Sequence, residues 1–124
     1  TTKACTLDLT ADGSASATDD GLLINRYLMG FRGDALTAGV SLQPWRSNAI
    51  AIEEAMGDGA CFDVLDRWSG APPSGTVDGL ILSRLMRGLP NSSLLNGINL
   101  PLDAGYTTAA EIRSYVNWKF GTAF

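Results

Sequence analysis

The chain has 124 residues and 13.1 kDa, one ordinary domain's worth of polypeptide; 45% hydrophobic and 18% charged residues exclude intrinsic disorder and predict a buried core. A net charge of −4 with no block of Lys or Arg argues against DNA or RNA as partners, and the richest apolar stretch, 22–28, is broken by Asn25 and Arg26, so no membrane span is expected. The absence of histidine removes Ser-His-Asp and Cys-His catalysis and histidine-ligated zinc, and neither a phosphate loop nor a nucleophile elbow is present, so no enzyme and no small-molecule substrate are expected.

An internal duplication organises the sequence. At an offset of 58, Asp20-Gly21-Leu22 falls on Asp78-Gly79-Leu80, Arg26 on Arg84, Gly30 on Gly88, Leu36 on Leu94, Gly39 on Gly97 and Leu42 on Leu100. Ala4-Cys5 matches Ala60-Cys61 at 56, and Ile52 matches Ile112 at 60, so small length changes fall in loops. Residues 4–59 read as repeat 1 and 60–124 as repeat 2, each a loop followed by two short helices. The expectation is a mainly α fold, residues 1–124 packed as one small helical domain.

The first loop is the most acidic stretch: Asp8, Asp12, Asp19 and Asp20 fall in one window of thirteen residues. Asp8-Leu9-Thr10-Ala11-Asp12-Gly13-Ser14 sets oxygen-bearing side chains on alternate residues with a glycine in sixth place, the logic of an EF-hand calcium loop. Alternation points every second side chain inward, and glycine permits the sharp bend. Asp8, Thr10 and Asp12 are then candidate ligands, with the Ser14 carbonyl. Asp20, which recurs as Asp78, closes the shell; Asp19 is the alternative. The competing reading is a hydrogen-bonded turn whose aspartates complement the helix dipole.

Next in the chain, Leu23, Tyr27 and Phe31 beside Ile24 and Leu28 predict a helix with Thr18 as N-cap and Gly30 near its end. Arg32-Gly33-Asp34 reads as a connector in which Asp34 caps a short helix rather than as an integrin motif. A helix carrying Ile50, Ile52, Ala55 and Met56 starts near Ser47 or Asn48 and stops at Gly57-Asp58-Gly59. The second loop departs from the ligand pattern, with Arg67 and two prolines where ligands belong. Asp66 and Asp78 keep the spacing of Asp8 and Asp20, and Asp63, Asp66 and Asp78 are the carboxylates that a second, weaker metal site would use. Leu80, Ile81, Leu82, Leu85 and Met86 form the repeated helix, ending at Gly88. Asn91-Ser92-Ser93 reads as a polar turn, or as a glycosylation sequon where the host modifies such sites. Thr108-Ala109-Ala110-Glu111 opens the last helix as a capping box, with Ile112, Tyr115 and Val116 as its apolar stripe.

Cys5-Thr6-Leu7-Asp8, Asp12-Gly13, and Asp20-Gly21-Leu22-Leu23 with Arg26-Tyr27-Leu28 and Gly30 to Thr37 resemble the dockerin type I repeat of secreted bacterial proteins. The resemblance covers Cys5 to Gly39 well and Cys61 to Gly97 loosely, and the 107–112 and 121–124 segments resemble the closing part of such modules. It implies a calcium-ordered, non-catalytic, extracellular module that docks to a protein partner, cohesin-like or at the cell surface, with Asp8, Thr10, Asp12, Ser14 and Asp20 around Ca2+. A second reading is a self-associating subunit of an extracellular filament or surface layer, its aromatic tail of Trp118, Phe120 and Phe124 docking on another copy. Cys5 and Cys61 hold equivalent positions in successive repeats, and a disulfide between them is expected, the alternative being two buried thiols. No signal peptide is visible and the chain starts at Thr1, so a processed product or excised fragment is expected.

Overall fold

Residues 7–9, 16, 18–42, 44, 48–57 and 59–124 are described by a computed structural model. Every regular element among them is helical: α1 (Asp20–Leu28), α2 (Asp34–Thr37), α3 (Ala49–Met56), a 3-10 turn (Ala60–Phe62), a π-turn (Gly75–Gly79) running directly into α4 (Leu80–Met86), α5 (Asn91–Leu94) and α6 (Ala109–Phe120). The six α-helices enclose one apolar cluster fed from both halves of the chain, including Leu23, Ile24, Ile52, Ile81, Leu82 and Ile112. No helix among the described residues is long and apolar enough to cross a membrane.

Local chemistry explains where the helices start. Ser16 anchors the first turn of α1: its hydroxyl accepts the Asp19 N–H at 3.3 Å, its carbonyl accepts the Gly21 N–H at 2.9 Å, and its own N–H donates to the Asp20 carboxylate at 2.9 Å. The expected Thr18 cap is thus displaced to Ser16, because the helix opens with a wide turn spanning five residues. Ser74 does the same for α4, taking the Val77 N–H at 3.1 Å and the Gly79 N–H at 3.0 Å and donating to Asp78 at 3.0 Å. Asn48 caps α3, accepting the Ala51 N–H at 2.9 Å. Thr108 caps α6 through the Glu111 N–H at 3.3 Å, and its hydroxyl also donates to the Glu111 carboxylate at 2.9 Å. The capping pair forms, with the Thr108 hydroxyl rather than its backbone N–H as the carboxylate's donor.

The ends match as well. Phe31 N–H reaches the Arg26 carbonyl at 2.9 Å and Leu89 N–H the Arg84 carbonyl at 3.1 Å, each just past a glycine of positive φ, Gly30 at 96° and Gly88 at 77°, the backbone state that ends helices most cheaply with glycine. Arg26 donates to the carbonyls of Leu36 and Ala38 at 3.1 and 2.7 Å, and Arg84 to those of Leu94 and Asn96 at 3.0 and 2.7 Å. Each guanidinium therefore satisfies carbonyls that the ends of α2 and α5 leave without helical partners.

Helices α1 and α4 meet through small residues. Gly21 lies where a Cβ would be 3.1 Å from the Ser83 hydroxyl, and Gly79 where a Cβ would be 3.1 Å from Asn25 Cγ. Two apolar expectations fail for a simple reason of direction. Ile50 is 68% exposed, on the outer face of α3 opposite Ile52 and Met56, and Phe31 lies past the end of α1 with 43% of its surface exposed. Asp34 does not cap α2 through its side chain; Gly33, at φ 64°, precedes the helix and Asp34 is its first residue. Asn91 opens α5 rather than a turn, and its amide oxygen accepts Arg113 Nε at 2.7 Å.

Candidate metal centre and its second copy

The two loops precede α1 and α4. In the first, Asp8 is half-buried between the buried Leu7 and Leu9, and Asp20 is fully buried in the first turn of α1. Asp19 is half-buried and precedes the helix. Thr10, Asp12 and Ser14, the rest of the expected shell, lie outside the described residues.

The second loop shows what a buried carboxylate at this place does. Asp78, fully buried, stands 58 residues after Asp20 and carries the same serine contact. Its two oxygens also accept the Val64 N–H at 3.0 Å and the Arg67 guanidinium at 2.6 and 2.8 Å, a bidentate pair of the strong charge-assisted kind. The same guanidinium donates to Asp63 at 2.7 Å and lies 3.9 Å from Asp103; its side chain is 5% exposed. Hydrogen bonding to Asp78 holds Arg67 above its ordinary pKa, burial opposes this, and the charges of Asp78, Asp63 and Asp103 add to the upward shift.

Asp63 is itself fixed by the backbone, taking the N–H groups of Leu65 and Arg67, both at 3.1 Å, while its carbonyl accepts the Lys119 amine at 2.9 Å. Burial pulls that amine below its ordinary pKa, against the charges of Asp63, Asp66 and Asp78. Asp66 does not join this cluster. It is exposed, with φ 49°, and faces a groove beside α6. Asp63 and Asp78 are thus brought together around an arginine, and the trio of Asp63, Asp66 and Asp78 is not. Among the described residues, no three acidic or cysteine side chains gather as a metal shell.

Sequence reading took Arg67 only as an interruption of the ligand pattern and passed over Asp103 and Lys119. Arg67 had a signal: a cation in the middle of a loop whose acidic residues otherwise need one. Asp103 had none, because it arrives from a distant segment whose position depends on the fold. That segment is pinned by Gly105 and Tyr106, whose N–H groups both reach the Leu65 carbonyl, at 2.8 and 3.0 Å. A Cβ on Gly105 would collide with the Asp66 backbone oxygen and lie 3.2 Å from that of Leu65. Gly105→Ala is therefore expected to destabilise the fold by about 1–3 kcal/mol, the usual range for overpacking, as measured by urea unfolding; a neutral change would contradict this packing.

Cys61, on the 3-10 turn and packed at the edge of the core, is disulfide-bonded. Its expected partner, Cys5, lies outside the described residues. The aromatic tail is largely turned inward: Phe120 stacks on Phe62 with ring centres 6.1 Å apart, and Phe124 packs on the core, whereas Trp118 is 78% exposed. Arg32, in the Arg-Gly-Asp triplet, lies over the Tyr27 ring at 3.6 Å and donates to the Tyr27 and Phe31 carbonyls at 2.9 and 2.7 Å. Comparison with known protein families, with characterised proteins and with solved structures finds no match for this chain.

Proposed function

We propose that the chain is a non-catalytic, calcium-stabilised extracellular binding module built from two tandem dockerin-like units, of which the first holds Ca2+ and the second holds Arg67 instead. One observation carries the reading. The buried carboxylate at the start of α4, Asp78, is neutralised by a guanidinium from its own loop, while the first loop, from Asp8 to Asp20, has four aspartates and no Lys or Arg. Alternate oxygen ligands with a glycine in sixth place in that stretch suit calcium. The hydrogen bonds that recur 58 residues apart support the two-unit organisation. The disulfide at Cys61 favours an oxidising compartment, in keeping with a secreted bacterial protein. The partner is another protein, cohesin-like or at the cell surface.

Calorimetric titration of chelator-stripped protein tests this. One calcium is expected to bind, to be lost in Asp20→Asn and in Asp12→Ala, and to raise stability by about 2.7 kcal/mol at a hundredfold excess over its dissociation constant. No heat at millimolar calcium would sink the proposal, and two bound ions would sink the assignment of Arg67.

A further inference from the structure

We infer that the groove between α6 and the 65–69 loop receives a cationic side chain, a lysine ammonium or arginine guanidinium, presented by the protein partner. The inference rests on the binding-module reading and names the chemistry of one of its contacts. The groove, about 740 Å³, is lined by residues that include Asp66, Tyr106, Glu111, Ser114, Tyr115 and Trp118.

Its rings form a continuous ladder, Tyr106 to Tyr115 at 5.1 Å and Tyr115 to Trp118 at 6.0 Å between centres. Aromatic faces attract cations, tryptophan most strongly. The Tyr115 ring already has the Lys119 amine 5.3 Å from its centre, so the ladder accepts such contacts within the fold. Two carboxylates, Asp66 and Glu111, border the groove, and among the described residues no basic one lines it. The nearby cations are committed elsewhere: Arg67 to Asp63 and Asp78, Lys119 to the Asp63 carbonyl, and Arg113 to Asn91 and the Leu89 and Phe124 carbonyls.

The negative charge is also held in place. Asp66 adopts a positive φ of 49°, uncommon for a residue other than glycine, and the Gly105 and Tyr106 N–H groups clamp the preceding carbonyl. Burial, followed by the charges of Asp66 and Asp63, raises the Tyr115 phenol above its ordinary pKa, as expected where the field favours positive charge. An aromatic ladder alone would suit a sugar ring equally well; the two bordering carboxylates, with no lining cation among the described residues, favour an ammonium or guanidinium.

The test is amide and indole NMR of the full chain in calcium, titrated with an end-capped tri-lysine peptide, the same peptide acetylated on every side-chain amine, and cellotriose. Tri-lysine is expected to shift the Trp118 indole and Tyr115 signals saturably, with affinity reduced about fivefold in Asp66→Asn and in Trp118→Ala, and further by salt. Trp118 and Asp66 are exposed, so neither variant threatens the core. Equal binding of the acetylated peptide, saturation by cellotriose without tri-lysine, or silence with all three overturns the inference. A silent groove in a sample that binds one calcium removes this inference alone; a sample that binds no calcium removes the reading beneath it.

Discussion

Arg67→Met is expected to lower the free energy of unfolding by about 3–5 kcal/mol, the cost of removing one partner from a buried ion pair. The side chain is 5% exposed and Asp78 is fully buried, so little water reaches the carboxylate left behind. Methionine keeps most of the stem's volume, which separates loss of charge from loss of packing. Asp78→Ala should cost at least as much, since it also orphans the Ser74 and Val64 N–H groups, and unmade buried hydrogen bonds carry their own penalty. The double variant should then cost clearly less than the sum of the two. Urea unfolding followed by circular dichroism measures all three, and a loss below about 1 kcal/mol for Arg67→Met, the range of an exposed pair, would mean that the cluster is solvated.

Reduction of the disulfide at Cys61 is the second large effect, expected at roughly 4 kcal/mol if the bridge runs to Cys5, because it would close a long loop in the unfolded chain. Cys61 directly precedes Phe62, a core residue stacked on Phe120, and Asp63, a partner of Arg67. Loosening this point would disturb the second loop as well as the unfolded ensemble. Intact mass after alkylation, with and without reductant, and unfolding under both conditions give the answer. Two alkylated thiols without reductant, or a midpoint unchanged by reductant, would defeat the expectation.

The helices were largely legible because their determinants are local. Thr108 with Glu111, and Asn48 with the apolar residues after it, lie within a turn of one another, and their hydrogen bonds form as those spacings require. The offset of 58 was equally plain, and it reappears in the contacts of Ser16 and Ser74, Asp20 and Asp78, and Arg26 and Arg84. What failed was inference across loops. Counting twelve residues back from Asp78 selects Asp66, yet the partner through space is Asp63, fifteen back, because the second loop is longer and turns Asp66 outward through a positive φ. Ile50 shows the same limit on a helix: a sequence rich in apolar residues on every side does not say which face meets the core, and α3 presents Ile52 instead. The groove beside α6 was invisible because Asp66 and Trp118 are neighbours only after the 100–106 segment has docked.

The seam between α1 and α4 has a symmetry that reaches beyond packing. Gly21 faces Ser83, and Gly79 faces Asn25; Asn25 and Ser83, like Gly21 and Gly79, are 58 residues apart in the chain. Each side therefore offers the other the surface that it receives, as in a two-fold homodimer. Either half brings one glycine and one polar side chain to this seam, so a substitution at any of the four positions is felt first by a residue of the opposite half.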